Sequence, residues 1–526
     1  MKVEILNWTG ILAFLLIVLG PVLALGISLG QALGEGQIEW LQLAVPHGRR
    51  LSLLVQSLGL AATNAIAGML LGLLVSIFLM RWKSGHVNLL RWFLLILAPV
   101  PPYIHALAWS SLAFRLGSWL SSLGLPELPF RGWFASWWVQ FMALAPIAIS
   151  LVLIGLELVD TDLIEASRLL CPDIRGLTKV IIPLASPAIL AGGGFLFLLS
   201  LLDYSVPSLF HFNVYALDIF AEYSASNQPA RAFLLSVPLL VVAIFVVGLS
   251  QGSLRNAALK PPWRRRVSGT SQTWPRWFKC LQGLGVFILV LQIFVPLISQ
   301  VTHTDSWQNF RSSISSAGKE IAFSARIAIL SAIACLPLSF PIANKLLQRG
   351  KNGWIWWLLV TIPLAIPAPL IGIGLISIWN QPGLRDVYGS GMMPVMASLA
   401  RFAPLAVIVL LTQLRRIDPS LIEAAEILQT NQFRTWMRVK LPMLAPGMLA
   451  AASITFILSV GELAATLLVA PPGQATLTMR IYNFLHYGAS DTVAGLCLVI
   501  TVMVFLFGVF AVAALAGWSR LTSRAY

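Results

Sequence analysis

The sequence predicts an all-α, polytopic membrane protein with about twelve transmembrane helices arranged as two parallel six-helix repeats. Of its 526 residues, 58% are hydrophobic and only 10% are charged, whereas soluble proteins carry about 25% charged residues. The apolar residues form runs of about 20, the length at which a helix spans the hydrocarbon core and satisfies its own backbone hydrogen bonds. The chain also resembles itself, with matching segments 258 or 259 residues apart, which indicates an internal repeat.

Twelve apolar segments are long enough to span a bilayer. The fifth is short and the tenth contains Arg401. The first follows only Lys2 and is long for a signal-peptide core, so we expect it to remain as an uncleaved helix. The predicted spans are residues 8–30, 54–80, 92–114, 133–157, 184–203, 232–250, 280–300, 321–343, 354–379, 392–412, 443–468 and 492–517.

The net charge of +15 would suggest a nucleic-acid partner in a soluble protein. In a membrane protein, Lys and Arg instead collect in the cytoplasmic loops. Placing the N-terminus inside assigns 24 of the 35 Lys and Arg residues to the cytoplasmic side. We therefore predict two cytoplasmic termini, a lipid bilayer as the surroundings and no nucleic-acid partner.

The repeat divides the chain into a first half (1–260), a cytoplasmic linker (261–274) and a second half (275–526). Asp160 matches Asp418, residues 163–166 and 421–424 both read Leu-Ile-Glu-Ala, and Pro183 matches Pro442. Each half holds six spans, so both enter the membrane in the same orientation. Such parallel repeats are related by an axis along the membrane normal, and we expect a pathway along that axis.

The best-matched segments are the cytoplasmic loops between the fourth and fifth spans of each half, residues 160–183 and 418–442. Surface loops usually diverge between repeats, so their similarity predicts a shared partner. Each loop is expected to begin with a short helix, capped by Asp162 in the first copy and by a capping box of Ser420 and Glu423 in the second. A helix of two turns is marginal alone in water and needs a surface to pack against.

The second loop resembles the Glu-Ala-Ala loop of the permease subunits of type I ABC importers. It reads Glu423-Ala424-Ala425 and ends at Leu441-Pro442, at the spacing of that family. The first loop reads Glu165-Ala166-Ser167 and ends at Ile182-Pro183, one residue shorter. The glycine of the family pattern is replaced by Cys171 in the first copy and by Gln429 in the second.

The resemblance implies that each loop forms a coupling helix that docks into a cleft of an ATP-binding subunit. The residues placed at that contact are Glu165, Ala166, Ser167, Cys171, Glu423, Ala424, Ala425 and Gln429. Alternatively, the two glutamates only cap their own helices. The chain has no Gly-x-x-x-x-Gly-Lys-Ser/Thr phosphate loop, so ATP and Mg are expected on a separate, homodimeric ATPase, and this chain is expected to have no catalytic residues. The family further implies an extracytoplasmic substrate-binding protein and the bacterial inner membrane.

The fusion of two permease halves resembles the ferric-iron and thiamine importers, and residues 461–468 (Gly-Glu-Leu-Ala-Ala-Thr-Leu-Leu) are most similar to the iron type. The repeat pairs Asp203 with Glu462, each at the outer end of the fifth span of its half. Ionisable groups at such a position face a cavity or a partner, and this acidic pair, with Tyr204, would suit a cation pathway; alternatively, each lies at the membrane surface. Arg401 is expected to pair with an acidic group, meet an anion or snorkel.

Other functions find less support in the sequence. A secondary transporter would not need two matched cytoplasmic helices, and a membrane enzyme would need a catalytic constellation that the sequence lacks. The four cysteines show no metal-site or disulfide spacing, and no metal site is assigned. His105, in the proline-rich third span, is expected to be packed and hydrogen-bonded. The prolines near 99–102 and 363–369 are expected to kink the third span of each half.

Overall fold

The computed structural model describes residues 2–81, 100–126, 129–259, 274–304, 306–348, 353–428, 435–487 and 490–524. All regular elements in these ranges are helical, which confirms the predicted all-α class. The α-helices are α1 (Lys2–Val18), α2 (Gly20–Gly34), α3 (Arg49–Arg81), α4 (Pro102–Ser122), α5 (Gly132–Glu157), α6 (Thr161–Leu170), α7 (Asp173–Gly176), α8 (Ile182–Leu201), α9 (Ser205–Leu209), α10 (Tyr215–Ser226), α11 (Pro229–Leu259), α12 (Arg276–Thr304), α13 (Trp307–Ser316), α14 (Gly318–Leu347), α15 (Gly353–Thr361), α16 (Ala368–Trp379), α17 (Arg385–Tyr388), α18 (Met392–Leu414), α19 (Pro419–Leu428), α20 (Leu441–Val460), α21 (Thr466–Val469), α22 (Leu477–Tyr487) and α23 (Ser490–Arg524). Short 3₁₀ turns cover Ile38–Ala44 and Ile362–Ala365, and π-helical turns cover Leu177–Ile181 and Trp436–Lys440.

The surface of α12 shows why these helices belong in lipid. Its buried face carries Gln282 and Gln292, which are only 3% and 2% exposed, whereas Phe287 and Ile298 are 56% and 57% exposed. A helix in water would place its glutamines outward and its phenylalanines inward. This reversed pattern indicates that the exposed face of α12 contacts the hydrocarbon core of a bilayer.

Nine helical segments in the described ranges are long and apolar enough to cross a membrane, and two bent helix pairs raise this number to eleven. These eleven correspond to all predicted spans except the third. Residues 82–99, which include the start of that span, lie outside the described ranges, and α4 begins only at Pro102. In the second half the predicted proline kink is confirmed, since the helices on either side of Ile366-Pro367 are bent by 103°.

Two compact units are formed, and each combines segments from both halves of the sequence. Unit 1 comprises Met1–Ile38, Glu320–Thr476 and Phe505–Tyr526, and unit 2 comprises Glu39–Lys319 and Leu477–Val504. Within unit 1, α1 packs on α18 and α2 packs on α16. Within unit 2, α12 packs on α3, α4 and α5. The first long helix of each sequence half is therefore packed in a unit built largely from the other half, and the predicted linker lies almost wholly outside the described ranges.

Small residues allow the central helices of unit 2 to approach closely. Gly68 and Gly72 on α3 face α5 at Ala148, and a Cβ added to Gly72 would lie 2.9 Å from the Ala148 carbonyl oxygen. Ser76, one turn further on, donates a hydrogen bond to the carbonyl of Ile149 at 2.9 Å. In membranes, close packing of this kind replaces the hydrophobic driving force between helices. It fixes α3 against α5 and thereby positions the loop that follows α5.

Candidate functional site

Two short helices, α6 and α19, follow long apolar helices in the two sequence halves, and an aspartate caps each. The Asp160 carboxylate accepts a hydrogen bond from the N–H of Asp162 at 3.0 Å, and Asp418 accepts one from the N–H of Ser420 at 3.0 Å. This second bond lowers the pKa of the Asp418 carboxyl below its usual value. Aspartate is a favoured N-cap because its oxygen satisfies a free N–H of the first turn.

The caps predicted from the sequence were therefore wrong by two residues. Helix α6 begins at Thr161 and α19 begins at Pro419, so Asp162 and Ser420 lie inside the first turn. Proline suits the first helical position because it lacks an N–H and its φ angle is already helical. It thereby shifts the cap of α19 to Asp418, and Glu423 lies too far along the helix to complete a capping box.

The Glu-Ala-Ala and Glu-Ala-Ser segments have the same pattern of exposure in the two helices. The first two residues of each are exposed and the third is buried. The three residues are Glu165, Ala166 and Ser167 in α6, and Glu423, Ala424 and Ala425 in α19. The glutamates cap neither helix, since the aspartates occupy that position. Their carboxylates are exposed on the surface of the described chain.

Both helices also expose large apolar side chains at matching positions. Leu169 in α6 is 89% exposed and Ile427 in α19 is 84% exposed. Leu163 and Leu421, 258 residues apart like the first pair, are 48% and 42% exposed. Apolar patches outside the apolar spans mark surfaces that bind a partner. The two helices therefore present similar mixed apolar and acidic faces.

The buried third residue of α6, Ser167, makes the contacts that hold the turn after this helix. The Ser167 hydroxyl donates to the carbonyl of Ile164 at 2.8 Å, and the N–H of Cys171 donates to the Ser167 carbonyl at 3.0 Å. Gly176 packs so close that an added Cβ would lie 3.1 Å from the Ser167 Oγ. Cys171 thus ends α6, as its place in the sequence predicts. Gln429, predicted at the equivalent turn, lies outside the described residues.

Just after the C-terminal end of α8, Asp203 is held by neutral donors. It accepts hydrogen bonds from the Gln140 amide at 2.9 Å and from the N–H and hydroxyl of Ser205 at 3.0 and 2.6 Å. The Gln140 carbonyl oxygen accepts in turn from Asn64 at 2.9 Å and Ser200 at 2.7 Å. Asp203 is partly exposed and forms no ion pair with a described basic side chain. Among the described residues, the Asp203 carboxyl group is therefore held by hydrogen bonds alone.

Glu462, the repeat counterpart of Asp203, has a different environment. Its side chain is 2% exposed and forms an ion pair with Arg401, while its Oε1 accepts the N–H of Ala465 at 2.7 Å. Of the alternatives for Arg401, the structure shows the acidic partner. The arginine crosses from α18 to the turn after α20 and neutralises Glu462 there. The two acidic positions that the repeat pairs are therefore chemically unequal.

Tyr204, predicted beside Asp203, has its side chain in the core. It is 1% exposed, and its ring stacks on Phe220 with centroids 5.8 Å apart. The amides of Gln140 and Asn64 escaped the sequence analysis, although a lone amide within an apolar span could have drawn attention to each. Among the described residues, no group of three or more His, Cys, Asp or Glu side chains is placed to hold a metal ion.

Residues 335–518 match the family of binding-protein-dependent transport system inner membrane components. An Fe(3+)-transport system permease of Haemophilus influenzae is 23% identical over 401 residues, which cover 73% of this chain and 74% of that protein. Together, the matched family and this relative support a permease of the type I ABC importer kind. The membrane-spanning helices and the relatives support a multi-pass inner-membrane transport component.

Other relatives of this permease transport different solutes according to their names. A molybdenum permease of Mycobacterium bovis is 28% identical over 223 residues, which cover 40% of the chain and 83% of that protein. A putrescine permease of Escherichia coli is 27% identical over 168 residues, 31% of the chain and 58% of that protein. The similarity thus extends across permeases of chemically distinct cargoes, and it does not fix the substrate.

Proposed function

We propose that this permease imports ferric iron, delivered by an extracytoplasmic binding protein and driven by a separate homodimeric ATPase that docks on α6 and α19. ATP and Mg would be bound by that ATPase. Both termini of the permease are proposed to lie in the cytoplasm, because that orientation places 24 of its 35 Lys and Arg residues inside. Such an arrangement brings both coupling helices to the cytoplasmic side.

The observation that carries the coupling proposal is the matched exposure of α6 and α19. A helix of about two turns gains little from its own hydrogen bonds, and each of these exposes a leucine or isoleucine that is more than four-fifths accessible. Burying these side chains in a cleft of a partner would remove apolar surface from water. The exposed glutamates would add polar contacts at the rim. Each of the two helices would then dock on one subunit of a dimeric ATPase.

The substrate proposal rests on the charge difference between Asp203 and Glu462. Because Arg401 neutralises Glu462, only Asp203 of this acidic pair retains a charge that would attract a cation. Fe(III) is a hard ion that prefers carboxylate and hydroxyl oxygens, and the Ser205 hydroxyl lies against the Asp203 carboxylate at 2.6 Å. The iron permease among the relatives supports the same substrate. Thiamine or another small solute carried by the same mechanism is the alternative, and ion-gradient transport is disfavoured by the paired coupling helices.

The coupling proposal is tested by reconstituting the permease with its ATPase and binding protein in proteoliposomes. Replacing both Glu165 and Glu423 with Lys is expected to abolish transport while ATP hydrolysis continues without response to the loaded binding protein. Glu39→Lys, an exposed carboxylate outside the loops, serves as the matched control and should transport normally. Transport that survives the double replacement would refute a coupling role for these glutamates.

The substrate proposal is tested separately by uptake of radioactive ferric iron in the same vesicles. Asp203→Asn keeps the shape of the side chain and removes its charge, so iron uptake should fall several-fold while basal ATP hydrolysis is unchanged. Molybdate, putrescine and thiamine should not compete with the iron. Unchanged iron uptake in the Asp203 variant, or competition by one of these solutes, would refute the substrate assignment and leave the coupling proposal intact.

A further inference from the structure

The buried face of α12 carries three glutamines with amide atoms that have no hydrogen-bond partner in the described part of the chain. Gln282, Gln292 and Gln300 are 3%, 2% and 1% exposed. Within the described chain, the Nε2 atom of Gln282, the Oε1 atom of Gln292 and both amide atoms of Gln300 have no partner. Buried carboxamides in proteins are almost always satisfied. Three consecutive exceptions on one face of a membrane helix require an explanation.

Two of these glutamines line a cavity within unit 2. The cavity is partly open, has room for about one water molecule, and lies between α4, α12 and α23. Its polar lining is His105, Gln292, Gln300 and Thr501, and its apolar lining is Val100, Ile293, Pro296 and Leu297.

His105 adds a further unsatisfied group to this cavity. It is 2% exposed, and its Nδ1 atom has no hydrogen-bond partner among the described residues. The sequence analysis predicted a packed and satisfied histidine, and the structure confirms only the packing. Pro296 contributes as well, because it has no N–H to offer the carbonyl of Gln292 one helical turn earlier. Unsatisfied donors and acceptors thus meet around one space.

The chemistry of this lining identifies what it would hold. Imidazole, carboxamide, hydroxyl and peptide carbonyl groups are all neutral hydrogen-bonding groups, and among the described residues no Asp, Glu, Lys or Arg lines the cavity. An ion would find no opposite charge to offset its loss of hydration. A buried water, in contrast, typically makes about three hydrogen bonds to groups that would otherwise be unsatisfied, whereas cavities that stay empty are apolar.

We propose that α4, α12 and α23 form a hydrated cavity in the membrane region, in which an ordered water molecule binds to His105, Gln292 and Gln300. Water at this site satisfies the amides that the bilayer cannot, and it allows α12 to carry polar residues through the hydrocarbon core. The site does not depend on which solute the permease transports.

Radiolytic hydroxyl-radical footprinting of the full chain in lipid nanodiscs tests the proposal, because radicals formed from a bound water oxidise the side chains beside it. Tyr215 is the matched reference: it is 0% exposed, and its hydroxyl is satisfied by the carbonyl of Leu235 at 2.9 Å. His105 is expected to oxidise several-fold faster than Tyr215, although a phenol ring is intrinsically the more reactive. An oxidation rate of His105 no higher than that of Tyr215 would overturn the proposal.

A comparison of the wild type with a double variant of the cavity tests whether the water lies in this cavity. Replacing Gln292 and Gln300 together with Leu keeps their approximate size and removes the partners of the water. His105 oxidation should then fall to the rate of Tyr215 while oxidation of the exposed His47 is unchanged. A folded double variant with undiminished His105 oxidation would show that the water lies elsewhere. If that variant does not fold, the wild-type comparison of His105 with Tyr215 still decides the proposal.

Discussion

We predict that removing Arg401 from its ion pair with Glu462 destabilises unit 1 more than removing the Glu462 charge does. The Glu462 side chain is 2% exposed, whereas that of Arg401 is 29% exposed. Removing one partner of a buried ion pair costs about 3–5 kcal/mol because a buried charge is left behind. Arg401 is partly exposed and Glu462 keeps its bond from the Ala465 N–H, so we expect Arg401→Met to cost about 2–3 kcal/mol.

The reciprocal change should cost less. Glu462→Gln preserves the bond from Ala465 and leaves unpaired the more exposed partner of the two, so about 1 kcal/mol is expected. In the double variant neither charge remains, and its cost should fall below the sum of the single costs by about 1–2 kcal/mol. The arginine's contact with Phe402, at 5.2 Å from the ring centre, is lost in both arginine variants and cancels in the cycle.

Equilibrium unfolding of the purified permease in lipid nanodiscs, followed by tryptophan fluorescence, measures these differences. Arg326→Met is the matched control, since Arg326 lies 5.3 Å from the ring centre of Phe323 and forms no ion pair with a described residue. Its loss should cost less than about 1 kcal/mol. Equal costs for the two single variants, or additive costs in the double variant, would refute the conclusion that Arg401 neutralises a buried carboxylate.

Three further predictions concern packing, docking and capping. Gly374→Ala should destabilise the permease to thermal unfolding by about 1–3 kcal/mol, because the added Cβ would clash with a backbone oxygen of α2. Gly26→Ala is the control and should cost nothing, since no atom lies within 4 Å of its added Cβ. Equal effects of the two variants would contradict the packing of α2 on α16. Leu169→Ser and Ile427→Ser should weaken ATPase binding to permease nanodiscs several-fold without lowering the unfolding temperature, and unchanged affinity would contradict docking at these side chains. Asp418→Ala should speed amide hydrogen exchange in α19 several-fold, and Asp418→Asn should do so less because its oxygen still accepts; equal exchange in all three proteins would exclude the cap. The bond from the Ser420 N–H lowers the pKa of the Asp418 carboxyl in the folded protein. The cap is therefore fully present above the unfolded pKa of about 3.9 and is lost only as the pH falls through the lower folded pKa. Protection of α19 from exchange should accordingly be constant between about pH 5 and pH 8.

Much of the architecture follows from sequence patterns that act locally. Long apolar runs predicted eleven of the spans because length and hydropathy are properties of a single segment. The repeat located α6 and α19 because the same residues recur at a fixed offset. The first residues of both helices were misplaced because more than one possible capping residue precedes each helix. In α19, Pro419 at the first helical position makes Asp418 the cap. The burial of Ser167 and Ala425 also required the structure, because it depends on residues beyond the helix.

Properties that depend on distant segments could not be predicted. Apolarity shows that α1 and α2 have a buried face, and it does not say which helices cover that face. The pairing of Arg401 with Glu462 joins residues 61 positions apart, and the repeat gave no guide because the counterpart of Arg401 is Ala143. The amide network around Asp203 likewise unites three helices. In each instance the partner is chosen by packing, which the sequence of either segment alone does not specify.

Cysteine crosslinking tests the central claim, docking of an ATPase on two coupling helices, most directly. Ala166→Cys and Ala424→Cys place thiols at exposed positions of α6 and α19 in a background whose four native cysteines are replaced by serine. With a short bifunctional reagent, both positions are predicted to crosslink to the ATPase subunit, while Glu39→Cys, exposed outside the loops, is not. No crosslink from either helix, or an equal yield from Glu39→Cys, would contradict the account.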